Sequence, residues 1–301
     1  MEKRRGVIRS DLIETLSSLG CRVLKDEPLS MHCSFKIGGP SDFFIEIPNE
    51  RALSEFLKII SDDRFYMLGG GTNVLFSDDG YRGIIVCLTG DFKEISVSED
   101  KILCGSGALL SDVLKAAYEN SLTGLECVAG IPGTVGGAVY GNAGRRDKWI
   151  SAAVKSVEVY KNLKKELINK EKAGFGYRKS GFENCIISKV VFSLKKDVKN
   201  SRLKKISKNM QKRLETQPLN TPNAGSIFKN PDRFSVGKLI EEAGLRGKCA
   251  GKAQISGLHG NFIVNTGGAF AEDVLTLINL IKEKIKEKFG ISLETEIKII
   301  K

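Results

Sequence analysis

The chain is poor in the residues that build metal and disulfide sites. His32 and His259 are its only histidines, and none of its seven cysteines has C-x-x-C spacing. A zinc site wants paired nitrogen or sulfur ligands, so no metal centre is expected. Cys21, Cys33, Cys87, Cys104, Cys127, Cys185 and Cys249 are odd in number and read as reduced thiols, Cys87 and Cys104 within apolar, strand-like runs. Long hydrophobic runs are absent too. No stretch approaches the ~18–20 residues that span a bilayer, so no membrane helix is expected. Met1–Arg5 is charged, and Gly6–Gly20 mixes Arg9, Asp11 and Glu14 with its leucines. A signal peptide has an uninterrupted apolar core there, so a cytoplasmic location is expected. The P-loop pattern G-x-x-x-x-G-K-[ST] does not occur. Gly105-Ser106-Gly107 lacks the final glycine of a Rossmann fingerprint.

What the chain has in quantity is glycine and lysine. Its 301 residues suggest two or three domains at roughly 100–200 residues each. Net charge is +11, and the lysines are densest in Lys161–Lys172 and Lys195–Arg213. Both stretches read as solvated amphipathic or turn segments. No aromatic or basic recognition motif accompanies them, so nucleic acid is not an expected partner, whereas small anionic ligands suit the charge.

Short strands and helices mix along the chain in an α+β pattern. Residues 6–20 read as an amphipathic helix. Phe43–Pro48 reads as a strand, followed by a helix opening at Asn49-Glu50 with Leu53, Phe56, Leu57 and Ile60 at helical spacing. Phe65–Leu68, Gly83–Leu88, Glu94–Val97 and Lys101–Cys104 read as further strands. Ser111–Asn120 reads as a helix capped by Ser111. Val154–Tyr160 and Ile186–Leu194 read as strands flanking a lysine-rich turn. Leu194–Asn200 is the expected linker. Beyond it, helices are expected at Arg202–Glu215, Val236–Ala243 and Ala271–Phe289. Strands are expected at Ala253–Ile255, Phe262–Asn265 and Ser292–Ile300.

Two glycine segments carry the first chemical argument. Gly69-Gly70-Gly71-Thr72-Asn73 directly follows a strand. Three glycines remove every Cβ from a tight turn, so backbone N–H groups can converge on an anion, with Thr72 and Asn73 adding donors. Gly130–Gly144 is the second, stiffened by Pro132. Together they suit a diphosphate-bearing dinucleotide, and a side chain at Gly71 is expected to fill the space of its pyrophosphate.

The segments Leu68–Asn73 and Ala129–Ala138 resemble the two pyrophosphate loops of the vanillyl-alcohol-oxidase (PCMH) type of FAD-binding fold. Ser34–Pro40 resembles that fold's opening strand and turn. In detail the chain resembles the UDP-N-acetylenolpyruvoylglucosamine reductase (MurB) family from about residue 30 onward. The resemblance implies a two-part FAD-binding region, residues 1–65 and 66–196. A smaller α/β substrate domain, 197–301, follows, its last strand returning to the first part. It implies noncovalent FAD, since Gly69–Asn73 holds no histidine or cysteine for attachment. Gly69, Gly70, Gly71, Thr72, Asn73, Gly130, Ile131, Pro132, Gly133, Gly136, Gly137, Ala138 and Asn142 would hold it. It also implies NADPH as co-substrate, UDP-N-acetylglucosamine enolpyruvate as substrate, and a monomer. The alternative is another oxidase or dehydrogenase of the same fold.

The same resemblance assigns catalysis. Phe175–Arg178, Ala224–Pro231 and Leu293–Ile297 match the family's arginine, serine and glutamate motifs in order. Arg178 would stabilise charge on the substrate carboxylate, because a guanidinium does not readily deprotonate. Ser226 would protonate the α-carbon. In a strand Glu294 and Glu296 share one face, so spacing leaves them equivalent. The motif selects Glu296. Substrate contacts are expected from Arg213, Lys229, Asn230, Gln254, His259 and Asn261. No tyrosine lies between Arg178 and Ser226, so the chain resembles the short form that lacks a substrate-closing tyrosine loop.

Overall fold

Apolar periodicity accounts for most of the observed elements, and backbone pairing decides how they group. The computed structural model describes residues 10–60, 64–145, 148–197, 202–231 and 233–301. The chain forms two compact units. The first comprises the described parts of 1–27, 41–69 and 83–201. The second comprises 28–40, 70–82 and the described parts of 202–301. The chain thus changes unit more often than three consecutive blocks would require. The reason lies in long-range hydrogen bonding: Val74–Phe76 runs parallel to Lys298–Ile300, and the Asn265 side chain donates to the carbonyl of Phe35 at 3.1 Å. The last strand's partner is therefore a strand of the second unit.

The first unit holds two sheets. One has the strand order Arg22–Pro28, Pro40–Ile47, Tyr81–Leu88, Phe65–Met67, the last two parallel. Helix Glu50–Ile59 starts where Asn49 accepts a hydrogen bond from the Ala52 N–H at 2.9 Å. It buries Leu53 and Phe56 in the cluster formed by Ile45, Ile47, Ile84 and Val86, each fully buried side chain contributing about 1.5–3 kcal/mol. The helix expected over 6–20 is seen as Ser10–Ser18; residues 1–9 lie outside the described residues.

The other sheet is antiparallel, ordered Lys164–Asn169, Val154–Lys161, Ile186–Ser193, Lys101–Gly105, Ile95–Ser98. Here the lysine-rich stretch departs from expectation. It is a turn only at Asn162 and Leu163, both at positive φ, and then an edge strand. That strand is almost wholly exposed, so it has no apolar alternation to reveal it, and its lysines protect the edge from further pairing. Helix Leu110–Glu119 has Leu109, not Ser111, at its cap. The Ser111 hydroxyl instead donates to Asp112.

In the second unit, strands Cys249–Ala250, Ala253–Ile255 and Ile263–Asn265 form a small antiparallel sheet. Helix Ala271–Phe289 buries Val274, Leu277, Ile278, Ile281 and Ile285, the i, i+3, i+4 stripe of a core-facing helix. Asp78 accepts from the N–H groups of Ala271 and Glu272 at its start, and Gly290 at φ 70° ends it. Helices Arg202–Thr216 and Val236–Glu242 complete the unit. The linker's expected end, residues 198–200, lies outside the described residues. Its start, Lys195–Lys196, pairs with Leu122–Thr123. All seven cysteines are free, and burial pushes the Cys87 and Cys104 thiols up to about 12. Among the described residues, no helix is long and apolar enough to cross a membrane. No group of three or more histidine, cysteine or acidic side chains there could hold a metal.

Candidate active site

The second glycine segment belongs to the first unit. Gly130 and Gly133 take φ values of 74° and 120°, which a side chain would strain. Thr134 then caps the short helix Val135–Tyr140, accepting from the Gly137 N–H. Gly136 donates to the Ser106 carbonyl at 2.8 Å, and a Cβ there would stand 2.8 Å from the Ser106 Cβ. Ala138 is buried in the core. Ile131 is half-buried, while Pro132 and Gly137 are exposed. Gly69 closes on this segment: a Cβ built on it would lie 2.8 Å from Thr134 Oγ1 and 3.6 Å from Gly137 Cα. Gly69 is itself exposed. Bare, exposed backbone from two glycine segments within a side chain's width fits a flat, anionic dinucleotide such as FAD.

Arg178 is on a tight turn of the same unit. Gly176 and Lys179 exchange backbone hydrogen bonds at 3.0 and 3.3 Å, and Arg178, third in the turn, has φ 54°. This is the left-handed position of a type II turn, normally given to glycine or asparagine. The guanidinium donates through Nη1 to the Gly144 carbonyl at 3.2 Å and lies 5.6 Å from the Tyr177 ring centre. Tyr177 in turn packs on Trp149, ring centres 6.4 Å apart. Asn142 is fully buried. Its amide donates to the Gly176 carbonyl at 2.9 Å and accepts from the Ser151 N–H at 3.3 Å.

The second unit gathers the other candidates. Gly71 has φ 63° and accepts from the Ser34 N–H at 3.0 Å. A Cβ on Gly71 would sit 2.0 Å from the His32 carbonyl oxygen. The chain's own backbone therefore demands glycine at this position, a reason additional to the expected pyrophosphate. The Asn73 side chain donates to the Glu296 carbonyl at 3.2 Å, and the Asn73 carbonyl accepts from the Lys298 N–H at 3.0 Å. Gly225, at φ 77°, stands beside Thr72: its Cβ position is 4.0 Å from the Thr72 carbonyl.

Ser226 follows directly. Its neighbour Ile227 donates to the Asn261 carbonyl at 2.9 Å and accepts from the Glu296 N–H at 2.8 Å. The Ser226 residue is half-buried, and among the described residues its hydroxyl makes no hydrogen bond. The two glutamates are distinguished here. Glu294 is exposed and ion-paired with Lys229, while Glu296 is half-buried with its backbone tied to Ile227 and Asn73. Glu294 also accepts from the Lys229 N–H through its carbonyl.

The expected substrate contacts fall into two groups. Asn261, His259 and Asn230 spend side-chain atoms on the protein itself. The Asn261 amide accepts from the Phe228 N–H at 3.0 Å and donates to the Phe228 carbonyl at 2.8 Å, in a buried position. His259 Nδ1 accepts from the Asn261 N–H at 3.2 Å, and its ring packs on Phe262. Burial, then the nearby Arg246 charge, hold its pKa below the ordinary histidine value. Asn230 accepts from the Val236 N–H, the first of its helix. Arg213 is half-buried on the basic helix, and Gln254 is half-buried in the small sheet, donating to the Gly247 carbonyl. Sequence reasoning missed Ser180, whose hydroxyl donates to the Tyr140 carbonyl at 2.7 Å. It missed Asn223 as well, whose side chain accepts from the Gly225 N–H at 2.9 Å. Only the second left a signal, an asparagine two residues before a turn glycine.

Known proteins resemble this chain over most of its length. Residues 41–162 match the family model for an FAD binding domain. Residues 217–300 match the C-terminal domain of UDP-N-acetylenolpyruvoylglucosamine reductase. A UDP-N-acetylenolpyruvoylglucosamine reductase from Thermotoga sp. (strain RQ2) is 41% identical, covering 96% of this chain and 97% of its own. One from Pseudothermotoga lettingae is 43% identical over 93% and 98% of the two chains. The solved UDP-N-acetylenolpyruvylglucosamine reductase of Thermus caldophilus superposes with a TM-score of 0.81 at 33% identity. It covers 93% of this chain and 99% of that one. The chain belongs to the UDP-N-acetylenolpyruvoylglucosamine reductase family, FAD-binding oxidoreductases.

Proposed function

We propose that the protein reduces UDP-N-acetylglucosamine enolpyruvate to UDP-N-acetylmuramate at the expense of NADPH, a cytoplasmic step in making the peptidoglycan precursor. The observation that carries this reading is the convergence in the second unit. The Ser226 loop, the Glu296 segment just before the last strand and the Thr72-Asn73 end of the first glycine segment share one hydrogen-bond set.

Gly69–Asn73 and Gly130–Asn142 would hold FAD noncovalently, and the bound group would supply the hydride. The protein's own residues supply the rest. Hydride adds to the terminal methylene carbon of the enolpyruvyl ether, so negative charge develops at the α-carbon and spreads to its carboxylate. Arg178 stabilises that charge and Glu296 shares the role. Ser226 gives its hydroxyl proton to the α-carbon, completing the reduction. Arg213 and Lys229 meet the UDP diphosphate, Lys229 exchanging its Glu294 pair for it, and Gln254 adds a further polar contact. Asn230, His259 and Asn261 are the remaining substrate candidates, and Asn261 also holds both backbone groups of Phe228, the residue before Lys229. With no separate Rossmann site in the sequence, NADPH and the UDP-sugar use one pocket in turn.

The test is turnover with product analysis. The purified yellow protein, given NADPH and the enolpyruvyl sugar, yields UDP-N-acetylmuramate, with parallel double-reciprocal lines. NADPH consumption that ignores the sugar and releases peroxide would mark an oxidase instead.

A further inference from the structure

The end of the second glycine segment and the arginine turn are joined at alternate residues. Tyr140 accepts through its carbonyl from the Ser180 hydroxyl at 2.7 Å. Asn142 donates through its amide to the Gly176 carbonyl at 2.9 Å. Gly144 accepts through its carbonyl from Arg178 Nη1 at 3.2 Å. The Asn142 amide oxygen is taken by Ser151, so its amide is fixed at both ends. Asn142 is fully buried and Ser180 nearly so. Both Asn142 and Arg178 adopt left-handed backbone, φ 43° and 54°. Such conformations in non-glycine residues persist where the surroundings over-determine them, and they cluster at functional sites.

The bonds explain the strain at Arg178. A two-residue turn with an arginine at its left-handed position would relax if only the Gly176–Lys179 pair held it. Asn142 anchors the turn's first carbonyl and Ser180 anchors the chain just past its last residue. Arg178 itself is tethered to Gly144. The guanidinium is thereby given one direction of approach, set by a segment that also carries Gly130–Gly137.

Resting on the catalytic reading of Arg178, we propose that Asn142 and Ser180 are positioning residues that lock the Arg178 turn onto the end of the second glycine segment. Neither needs to touch substrate. Asn142, grouped by sequence with the cofactor contacts, also acts on the arginine.

The experiment is a double-mutant cycle on the flavin-loaded enzyme. It comprises Asn142→Ala, Ser180→Ala, Arg178→Ala and the two pairs with Arg178→Ala. Flavin-to-protein ratio and melting temperature are measured alongside kcat and KM. Asn142→Ala is expected to keep its flavin and lower kcat on the order of 10-fold to 10²-fold, the usual cost of a small misplacement of a catalytic group. Ser180→Ala is expected to lower kcat about 3-fold to 10-fold, as for one lost hydrogen bond. Ser180→Thr, which keeps the hydroxyl, restores it. In the Arg178→Ala background both effects vanish. Should Asn142→Ala fail to fold, the Ser180 arm decides. Unchanged kcat in the singles, while Arg178→Ala is slow, overturns the positioning role. So does a loss of equal size with and without Arg178. If Arg178→Ala turns over like the parent, the catalytic reading of Arg178 falls first and this inference falls with it.

Discussion

The two units hold their candidate catalytic side chains by different means. In the first, Arg178 stands on a strained turn secured by side-chain bonds from Asn142 and Ser180. In the second, Ser226 and Glu296 lie on two extended segments tied backbone to backbone, with the Asn261 amide acting as an extra rung beside Phe228. A clamp of side chains can be loosened while the fold survives. A rung beneath a fully buried phenylalanine cannot be removed without exposing its peptide groups to an unsatisfied interior.

That contrast can be broken most severely at Gly71. With its Cβ position 2.0 Å from the His32 carbonyl and φ 63°, Gly71→Val should destabilise the protein by about 4 kcal/mol or more. The loss should appear in thermal melts as unfolding and not merely as colourless protein. A folded, stable, flavin-free variant would leave the pyrophosphate as the sole reason for glycine there.

Asn261→Ala comes next. It strands a buried N–H and a buried carbonyl of Phe228, about 1–3 kcal/mol each, so urea melts should show a loss of that order. A variant as stable as the parent would show that the rung is dispensable. Arg178→Lys, by contrast, should leave stability nearly unchanged and lower kcat on the order of 10²-fold, since an ammonium cannot reproduce the guanidinium fork. A melting loss without a rate loss would reverse the roles assigned to the two units.

The smallest expected effect is on pH. His259 has a folded pKa below its usual 6.5 because of burial and Arg246. Between that lowered value and 6.5 the unfolded chain binds the extra proton, so stability is complete above about 6.5 and falls as pH drops below it. Protonation at Nδ1 would also forfeit the bond from Asn261. Denaturant melts at pH 8 and pH 5 should show a shallower acid loss in His259→Gln than in the parent. Equal slopes would remove His259 from the account.

Much of this was legible in the sequence because it depends on local chemistry. Helix Glu50–Ile59 with its Asn49 cap and helix Ala271–Phe289 with its apolar stripe follow from spacing. So do the glycine segments, which announce close backbone approach. The edge strand Lys164–Asn169 was hidden because neither face is buried. Strand Val74–Phe76 was hidden because its partner lies at the far end of the chain. The reason for Gly71 needed the position of His32, which no spacing predicts. Asn142 and Asn261 were named as ligand contacts, but their bonds to Gly176 and Phe228 were not foreseen: type and order are visible in sequence, whereas the direction of an amide's bonds is a property of tertiary contact.

The assignment of Ser226 is tested most directly by following the flavin absorbance of Ser226→Ala in a stopped-flow instrument, each half-reaction apart. Reduction by NADPH involves no proton at the α-carbon and should proceed at nearly the parent rate. Reoxidation by UDP-N-acetylglucosamine enolpyruvate should slow by ~10²–10⁴, the worth of a positioned acid, with partial recovery in Ser226→Cys. Reoxidation at the parent rate, or collapse of the reduction by NADPH, would contradict the account.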